Sequence, residues 1–465
     1  MGETELFPSP NEKKHLFLQK RSKKTNSDVI FLRLTRAEYR LVVVMALKGR
    51  DFFTIVEFGT SKICALHGGR DKGGTPTVFG SGSRDSAGCI VKGEIVDLHA
   101  ATAALAGALE DADNSAGSTF ERERVYYLVS GRGITSRQGE GNVMLYGPDR
   151  HITEEHVEEA IGKASSISLA PEQMHIESFT SYFMLDMNTR VKDPVGHSAS
   201  RLDAFIHIIL AERNRLGTMQ TAIRELGFEQ EIIPVFAGIA AAYGTLTHDE
   251  KEQGTLLIDI GAGTMDYIFV HDEGVFLSGV LPVGMDNLVN DLAVGLDLTQ
   301  EQARKFLLEG KIDQLKRSGE AFLRLPVSSE LYRNIPVGSF EKIMELRLNE
   351  MFSILRQELE ARKLSPYMNG GVVITGGGAR IPAVLECARG VLRTHVRRGD
   401  PLEFSGAVTG LDDPRYAALL GALNYSIQIE GRGGSMIGIE KVADALEGLG
   451  GIFNKLKDVT KAFKI

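Results

Sequence analysis

Residues 256–270 of this chain read LLIDIGAGTMDYIFV, and this stretch decides which fold we expect. An apolar run typical of a buried strand covers residues 256–260, and a second strand-like run begins at Tyr267. Between the two runs lie two glycines and a threonine, with an aspartate on either side. The pattern predicts two strands joined by a tight polar turn.

The residue types in this turn are those of a phosphate-binding site. Gly261 and Gly263 allow a tight turn whose backbone N–H groups face a phosphate, and Thr264 adds a hydroxyl donor. Asp259 at the strand end suits a hydrated Mg²⁺, which one or two carboxylates usually hold. A dinucleotide-binding fingerprint is excluded, because its third glycine position is Asp266 and a strand follows instead of a helix. For this motif taken alone, an ordinary hairpin turn is the alternative.

A second copy of the pattern lies in FTIVEFGTSKICALHG, residues 53–68. An apolar strand again ends in an acid, a glycine and a threonine, here Glu57, Gly59 and Thr60, and continues into another strand. Two such hairpins, each opening a series of strand-like segments, indicate duplicated halves that grip a phosphate group from both sides. We therefore expect a nucleotide to lie between the two halves.

A third glycine-rich segment is GGVVITGGGARIPAV, residues 370–384, in which a predicted strand runs into three adjacent glycines. These are Gly376, Gly377 and Gly378. Because glycine has no side chain, the backbone can lie flat against a planar group, which predicts an adenosine site. A flexible loop is the alternative.

Composition favours a cytoplasmic protein of several domains. The chain has 465 residues with 43% hydrophobic content, and its formal net charge of -8 argues against nucleic acid as the main partner. Cys64, Cys89 and Cys387 have neither the paired spacing of a zinc site nor the even number of a disulfide framework. No apolar run approaches the ~20 residues that cross a bilayer.

Five segments, in this order, resemble the nucleotide-binding motifs of the actin-like ATPase superfamily. They are 55–62, 233–244, 257–266, 373–380 and 415–424. The segments VKGEIVDLHAATAALAGALEDAD, HITEEHVEEAIGKA and LPVGMDNLVNDLAVGLDLTQEQARKF narrow the choice. With them the chain resembles the FtsA family of bacterial cell-division proteins over roughly residues 51–425.

The resemblance implies an α/β protein with an actin-like ATPase fold of two duplicated halves and the FtsA-type inserted subdomain 1C. Residues 1–50 form an N-terminal extension, either disordered or a start-site artefact, or a basic arm that touches anionic lipid. The other expected boundaries are 51–129, 211–244 and 401–425 for subdomain 1A, 130–210 for 1C, 245–277 and 351–400 for 2A, 278–350 for 2B, 426–450 for a flexible linker and 451–465 for an amphipathic helix.

The function implied by the resemblance is that of an ATP-binding protein that polymerises on the inner membrane face. Such a protein tethers FtsZ filaments through the FtsZ C-terminal tail and recruits later division proteins through 1C at the division septum. ATP and Mg²⁺ are the implied cofactors, any ATPase activity is weak at most, and no catalytic residue is assigned. The alternatives are a PilM-like adaptor of a pilus or secretion system and a sugar kinase of the same fold.

Carried over by motif position, the resemblance also implies which residues hold the nucleotide. The phosphate-binding residues are Gly59, Thr60, Ser61, Lys62, Gly261, Gly263 and Thr264. Those for ribose and adenine are Gly284, Glu301, Lys305, Gly376, Gly377 and Gly378, although a solvated i,i+4 ion pair equally explains Glu301 and Lys305. Glu57 and Asp259 would hold Mg²⁺ through water. Glu57 stands where the superfamily usually has Asp, so we expect binding to survive and hydrolysis to be slow or absent.

The last fifteen residues, GIFNKLKDVTKAFKI, follow a glycine-rich stretch and have an amphipathic pattern. On helical spacing one side carries Ile452, Phe453, Leu456, Val459 and Phe463, and lysines including Lys455 and Lys461 flank it. This predicts a helix at an anionic membrane surface, with a helix packed on its own protein as the alternative. For the FtsZ tail the resemblance points to 2B and to Arg347, which is otherwise an ordinary surface arginine.

Overall fold

The structure is a computed structural model. It describes residues 14–18, 30–34 and 52–431, apart from gaps at 71–74, 118–119, 121–123, 148, 230, 327–331 and 407. Strands β1 (Lys14–Leu18) and β2 (Ile30–Leu34) pair antiparallel. The predicted helix at 451–465 lies outside the described residues. None of the helices in the described part is long and apolar enough to cross a bilayer.

The first half is built on a six-stranded sheet with the order β13-β8-β3-β4-β5-β21. Its strands are β3 (Phe52–Phe58), β4 (Lys62–Arg70), β5 (Pro76–Asp85), β8 (Arg124–Val129), β13 (Glu231–Phe236) and β21 (Ser405–Gly406). Strands β3, β4 and β5 are antiparallel neighbours, whereas β8 runs parallel to β3 and β13 parallel to β8. Helix α1 (Leu98–Ala116) packs on β5, and two short strands, β6 (Ile90–Val91) and β7 (Glu94–Ile95), precede it.

The second half repeats this plan in a five-stranded sheet with the order β16-β15-β14-β19-β20. Its strands are β14 (Thr255–Ile260), β15 (Met265–His271), β16 (Gly274–Leu281), β19 (Gly371–Thr375) and β20 (Val396–Arg398). Again three antiparallel strands come first, and two parallel strands add to the far side of the first. The matching order and directions show an internal repeat, as the two hairpin motifs predict.

Between residues 131 and 212 an inserted unit has its own sheet and its own core. Strands β9 (Thr135–Met144), β10 (Gln173–Leu185), β11 (Thr189–Val191) and β12 (Arg201–Glu212) form an antiparallel sheet, and helix α2 (Glu154–Ser165) covers one face. Gly139 and Gly141 let the helix lie close, since an added Cβ would overlap carbonyl oxygens of α2. The other face meets edge strand β16, where the Ser136 hydroxyl donates to the Ser278 carbonyl at 2.9 Å.

The remaining helices connect the sheets and cover the second one. They are α3 (Arg213–Arg224), α4 (Ala237–Thr245), α5 (His248–Gln253), α6 (Met285–Gly295), α7 (Gln300–Leu308), α8 (Lys311–Ser318), α9 (Val337–Ala361), α10 (Pro382–Leu392) and α11 (Ala417–Gly431). Strands β17 (Phe322–Pro326) and β18 (Tyr332–Pro336) form a hairpin that leads into α9.

Helices α4 and α11 cross at the junction of the two halves, and small residues set their separation. A Cβ added at Gly244 would overlap the carbonyl oxygen of Ala417, and one at Gly421 would overlap that of Ala240. Almost all of α4 is buried in the core of the first half. The two helix backbones therefore lie in direct contact, which only glycine and alanine permit.

We expect Gly421→Ala to lower the free energy of unfolding by about 2 kcal/mol, because the added methyl group forces the two helices apart. Chemical denaturation followed by far-UV circular dichroism measures this. The control is Gly217→Ala inside α3, where no heavy atom lies within 4 Å of an added Cβ. That change should raise stability by about 0.5–1 kcal/mol through helix propensity. A Gly421→Ala protein as stable as its parent would rule out the close crossing.

Candidate functional site

A cleft of 790 Å³ opens between the two halves, and both glycine-containing hairpin turns line it. In the first turn the Gly59 N–H donates to the Lys62 carbonyl at 3.0 Å, and in the second the Gly261 N–H donates to the Thr264 carbonyl at 2.9 Å. The two turns thus close in the same way at equivalent ends of the two sheets. The remaining N–H groups of the turns and the hydroxyls of Thr60 and Ser61 can donate to an anion in the cleft, whereas the Thr264 hydroxyl already donates to Asp266 Oδ2 at 3.3 Å.

The two turns approach each other closely at Gly263, and the first turn is tight at Gly59. A Cβ built at Gly263 would lie 2.5 Å from Thr60 Oγ1 and 3.0 Å from Lys92 Cα. A Cβ at Gly59 would lie 2.6 Å from the Lys62 carbonyl oxygen. A side chain at residue 263 would therefore fill the space between the halves.

Three carboxylates from both halves meet at the base of the cleft. Glu57 comes from β3, and Asp259 and Asp266 face each other across β14 and β15. Burial raises the pKa of Asp259 well above its ordinary value, and the negative charges of Asp266 and Glu57 raise it further. Burial also raises the pKa of Glu57, against the opposing charge of Lys62. Without a cation, burial and mutual repulsion therefore favour the protonated forms of these acids.

Asp266 is held in place by hydroxyl groups. The Ser130 hydroxyl donates to both of its carboxylate oxygens at 2.7 Å, and the Thr264 hydroxyl donates to Oδ2 at 3.3 Å. Burial nevertheless raises the pKa of Asp266 to about 7. Ser130 directly follows β8, so a residue of the first half donates hydrogen bonds to a carboxylate of the second half. Neither Ser130 nor Asp266 is among the site residues that the sequence predicts.

The carboxylate cluster has the chemistry of a divalent-cation site. Glu57 Oε2 is buried and has no hydrogen-bond partner among the described residues, so a strong acceptor points into the cluster unsatisfied. Carboxylate oxygens and water are the ligands that Mg²⁺ prefers. Glu57, Asp259 and Asp266 have the oxygen chemistry that Mg²⁺ prefers, but no set of oxygens from all three lies within 4.8 Å of one another, so the three would hold the ion partly through water.

Lys62 lies at the cleft and makes contacts with the segment after β21. Its Nζ lies 3.5 Å from the centroid of the Tyr416 ring and donates to the Arg415 carbonyl at 3.3 Å. Together with Ser61, it completes the lining from the first turn. A phosphate group would have to compete with these two contacts for the ammonium group.

The glycine-rich segment after β19 contributes the opposite wall. Gly376 has φ 78°, and an added Cβ would overlap the Asp259 carboxylate, so this position needs glycine. Gly377 also lines the cleft, and the nearest atom to an added Cβ is Arg415 Cγ at 3.9 Å. Gly378 is buried behind them against the Ile260 side chain.

Helix α6 begins directly on the second turn. The Met285 N–H donates to the Gly261 carbonyl at 3.0 Å, and the Asp286 N–H donates to the Ala262 carbonyl at 2.8 Å. Gly284 packs behind this turn, since an added Cβ would overlap the Ala262 carbonyl oxygen. The start of α6 and the second turn therefore move as one piece.

The residues of helix α7 that line the cleft are Gln300, Arg304, Leu307 and Leu308. Arg304 Nη2 pairs with Asp286 Oδ1 at 2.8 Å. Glu301 and Lys305 are exposed and do not line the cleft, and Lys305 Nζ lies 4.0 Å from Glu309. Their contact with ribose and adenine stays a prediction. The i,i+4 spacing shows that Gln300 and Arg304 share one face of the helix. It does not show which face of the helix is turned toward the cleft.

Arg347 lies on α9, away from the cleft, and already has partners. Its Nε lies 2.5 Å from Asp291 Oδ2, its Nη2 3.1 Å from Asp291 Oδ1, and its Nη1 2.6 Å from Glu350. The predicted membrane-anchor residues lie outside the described part of the chain. They are Ile452, Phe453, Lys455, Leu456, Val459, Lys461 and Phe463.

Comparison with known proteins agrees with this architecture. A family model described as "Cell division protein FtsA" matches residues 256–421, and one described as "SHS2 domain inserted in FTSA" matches residues 131–210. FtsA of Pseudomonas aeruginosa is 26% identical over 383 residues, which is 82% of this chain and 90% of that protein. FtsA of Escherichia coli K12 is 27% identical over 379 residues, covering 80% of this chain and 89% of that protein.

Among solved structures, the PilM-PilN type IV pilus biogenesis complex is similar with a TM-score of 0.54 and 15% identity. The match covers 81% of this chain and 99% of that one, and at this identity it shows the fold alone. The predicted actin-like ATPase fold with its inserted subdomain is confirmed. With both family models and the curated relatives in agreement, the chain belongs to the FtsA family of cell-division proteins.

Proposed function

We propose that this chain is an ATP-binding division protein that polymerises on the cytoplasmic face of the cell membrane at the septum. It tethers FtsZ filaments by binding the FtsZ C-terminal tail, and it recruits later division proteins through the inserted subdomain 1C, residues 130–210. The observation that carries the proposal is the cleft between two matching turns, in a member of the FtsA family.

In this proposal the phosphates of ATP lie between the turns at 59–62 and 261–264. The base and ribose extend toward Gly376 and Gly377 on one side and toward α6 and α7 on the other. Mg²⁺, when bound, neutralises phosphate and carboxylate charge together. Glu57, Asp259 and Asp266 would hold it, directly or through water. The longer side chain of Glu57, where an aspartate is usual, favours binding with slow hydrolysis or none.

Membrane attachment is assigned to residues 451–465, beyond a linker at 426–450. Each lysine near an anionic lipid surface contributes about 1 kcal/mol, and the apolar side enters the acyl boundary. A single short helix of this kind binds weakly, but a filament that carries many of them gains avidity. Polymerisation and attachment would therefore support each other.

Asp266→Asn is expected to change how the stability of the nucleotide-free protein depends on pH. The pKa of Asp266 is raised from 3.8 to about 7, so the folded protein keeps a proton that the unfolded chain has released. Asp266 should therefore make stability fall as pH rises from about 4 to about 7, and the variant should lack this part of the loss, whereas the raised pKa values of Asp259 and Glu57 contribute in both proteins. At neutral pH the variant should be more stable by roughly 2–4 kcal/mol. Denaturant unfolding in EDTA measures this.

Glu250→Gln is the control for the pH experiment. Although burial raises the pKa of Glu250, hydrogen bonds from Arg397 lower it below the ordinary value. The stabilisation from this carboxylate is therefore present at neutral pH and lost as pH falls, which is the opposite trend. Mg²⁺ with ATP should remove the Asp266-dependent slope, because a cation replaces the proton. If the unfolding free energies of Asp266→Asn and of the parent protein change with pH in parallel, the raised pKa of Asp266 in the carboxylate cluster is contradicted.

Sedimentation with anionic liposomes, ATP, Mg²⁺ and FtsZ tests the tether. The intact chain should carry FtsZ into the pellet, whereas a chain ending at Gly451 should bind ATP equally well and leave FtsZ in the supernatant. Neutral vesicles and FtsZ without its C-terminal tail are the controls. If neither form recruits FtsZ although ATP binds, the division role fails and a PilM-like adaptor becomes the leading hypothesis.

Arg347→Ala is expected to weaken binding of a labelled FtsZ tail peptide about tenfold, the loss of one charge-assisted hydrogen bond. Asp291→Ala should strengthen binding, because Asp291 occupies the guanidinium group in the free protein. Fluorescence anisotropy measures both affinities. Arg356→Ala, on the same helix and 3.5 Å from Glu360, is the control and should leave the affinity unchanged. Equal affinities for the two arginine variants would remove Arg347 from the tail site.

A further inference from the structure

A second cavity, a groove of 510 Å³, lies between helices α7, α9 and α10 and is separate from the turns of the cleft. Its floor is apolar and is formed by Phe306, Phe340, Met344, Leu348 and Cys387. Phe340 and Leu348 are almost fully buried, whereas Phe306 and Cys387 are only partly covered. The apolar surface open to an occupant therefore comes mainly from Phe306 and Cys387, which suits one or two apolar side chains on one face of an amphipathic helix.

The rim of this groove is acidic. Glu341, Glu345 and Glu386 line it, and no basic side chain does. Glu345 forms an ion pair with Lys342 at 2.9 Å, and both side chains are exposed. An exposed ion pair of this kind contributes little to stability, so it holds Glu345 only weakly. Glu386 makes no ion pair within the described part of the chain. The groove therefore favours an occupant with apolar residues flanked by positive charges.

The chain itself contains a segment with this chemistry. Residues 452–463 carry isoleucine, leucine, valine and two phenylalanines at helical spacing, with lysines at positions 455, 457 and 461. An acidic peptide, such as the one assigned to Arg347, would be repelled by the rim. The charges of groove and segment are complementary.

We propose that, when the protein is away from the membrane, this groove holds residues 452–463 of the same chain. The inference rests on the proposed function in one respect, namely that the same segment anchors the protein to lipid. Docking then covers the apolar face that would otherwise be exposed in the cytoplasm. Lipid and groove compete for one segment, so attachment requires its release.

The connecting chain is long enough for this contact. Twenty residues, 432–451, separate the end of α11 from the segment. Fully extended, they span roughly 65 Å at about 3.3 Å per residue. A compact body of about 380 residues has a radius of gyration of about 21 Å. The segment can therefore reach the groove of its own chain.

Cys387 is a native reporter of the occupied groove. It is partly covered, whereas Cys64 and Cys89 are buried in the first half. Burial and the charge of Glu345 raise the pKa of the Cys387 thiol to about 11, so its labelling is slow and best compared between variants at one alkaline pH. Peptide-resolved mass spectrometry after N-ethylmaleimide treatment gives the labelling rate at this one residue.

The expected effect follows from the linker. A flexible linker gives an effective concentration on the order of 1 mM, so a segment with a Kd of about 0.1 mM occupies the groove about nine-tenths of the time. Cys387 in the intact chain should then react about tenfold more slowly than in a chain ending at Gly451. Protection should not change on dilution, because the contact is within one chain.

Charge reversal makes the test specific. The variant Lys455→Glu with Lys461→Glu should lose the protection, and the matched control Arg432→Glu with Lys441→Glu, in the linker, should keep it. Adding Glu345→Lys and Glu386→Lys to the first variant should restore the protection. Because the substitutions in the groove also change the reactivity of the Cys387 thiol, the labelling rate of each variant is compared with that of the same variant ending at Gly451.

Equal labelling of the intact and truncated chains would overturn the proposal. Protection of Cys387 that disappears on dilution would also overturn it, because the segment in the groove would then come from a second copy of the chain. Protection that appears only when an FtsZ tail peptide is added would overturn it as well. Liposome sedimentation of the same variants separates this result from the proposed function. If Cys387 is protected but the chain does not bind lipid, the membrane anchor is refuted and the docking in the groove stands. If the chain binds lipid but Cys387 is not protected, the docking is refuted and the membrane anchor stands.

Discussion

The repulsion among Glu57, Asp259 and Asp266 is the constraint on which the site depends. Burial prevents water from screening these acids, and the hydroxyl of Ser130 compensates only one of them. Because Glu57 belongs to the first half and the two aspartates to the second, a cation held by all three would gain its full stabilisation only when both halves are in place. A ligand at this point would therefore act on the relative position of the halves, which would give the cleft a structural role apart from any hydrolysis.

Two further contacts join the halves and limit how they can move. At the crossing of α4 and α11, Gly244 and Gly421 bring the backbones together without long interlocking side chains, which suits a hinge. On the other side the inserted unit lies against edge strand β16, where His207 Nε2 and Ser278 Oγ are 2.7 Å apart. Burial lowers the pKa of His207 to about 3, so this imidazole stays neutral at physiological pH. The hydrogen bond between His207 and Ser278 is therefore unaffected by pH changes near neutrality.

The sequence predicted those parts of the site that depend on local backbone rules. Tight turns need Gly59 and Gly261 whatever surrounds them, and their duplication predicted the repeated sheets. Ser130 gave no local signal, because its role depends on an aspartate 136 residues away in the chain. On α7 the residue spacing predicts which side chains share a face of the helix, but it does not predict which face is turned toward the cleft. Only tertiary packing decides whether Arg304 or Lys305 faces the cleft. For the same reason the Asp291 partner of Arg347, 56 residues away, was not predicted.

The cleft and the groove share a wall. Leu307 and Ile381 line both cavities, and α7 directs Arg304 toward the cleft and Phe306 toward the groove. Protein interiors are packed too densely for one side of such a wall to move alone, so a rotation of α7 changes both cavities at once. Occupants that rotated α7 would then be coupled in free energy, and the coupling would act equally in both directions. A nucleotide that shifted α7 would change what the groove can hold, and an occupied groove would change nucleotide affinity by the same factor.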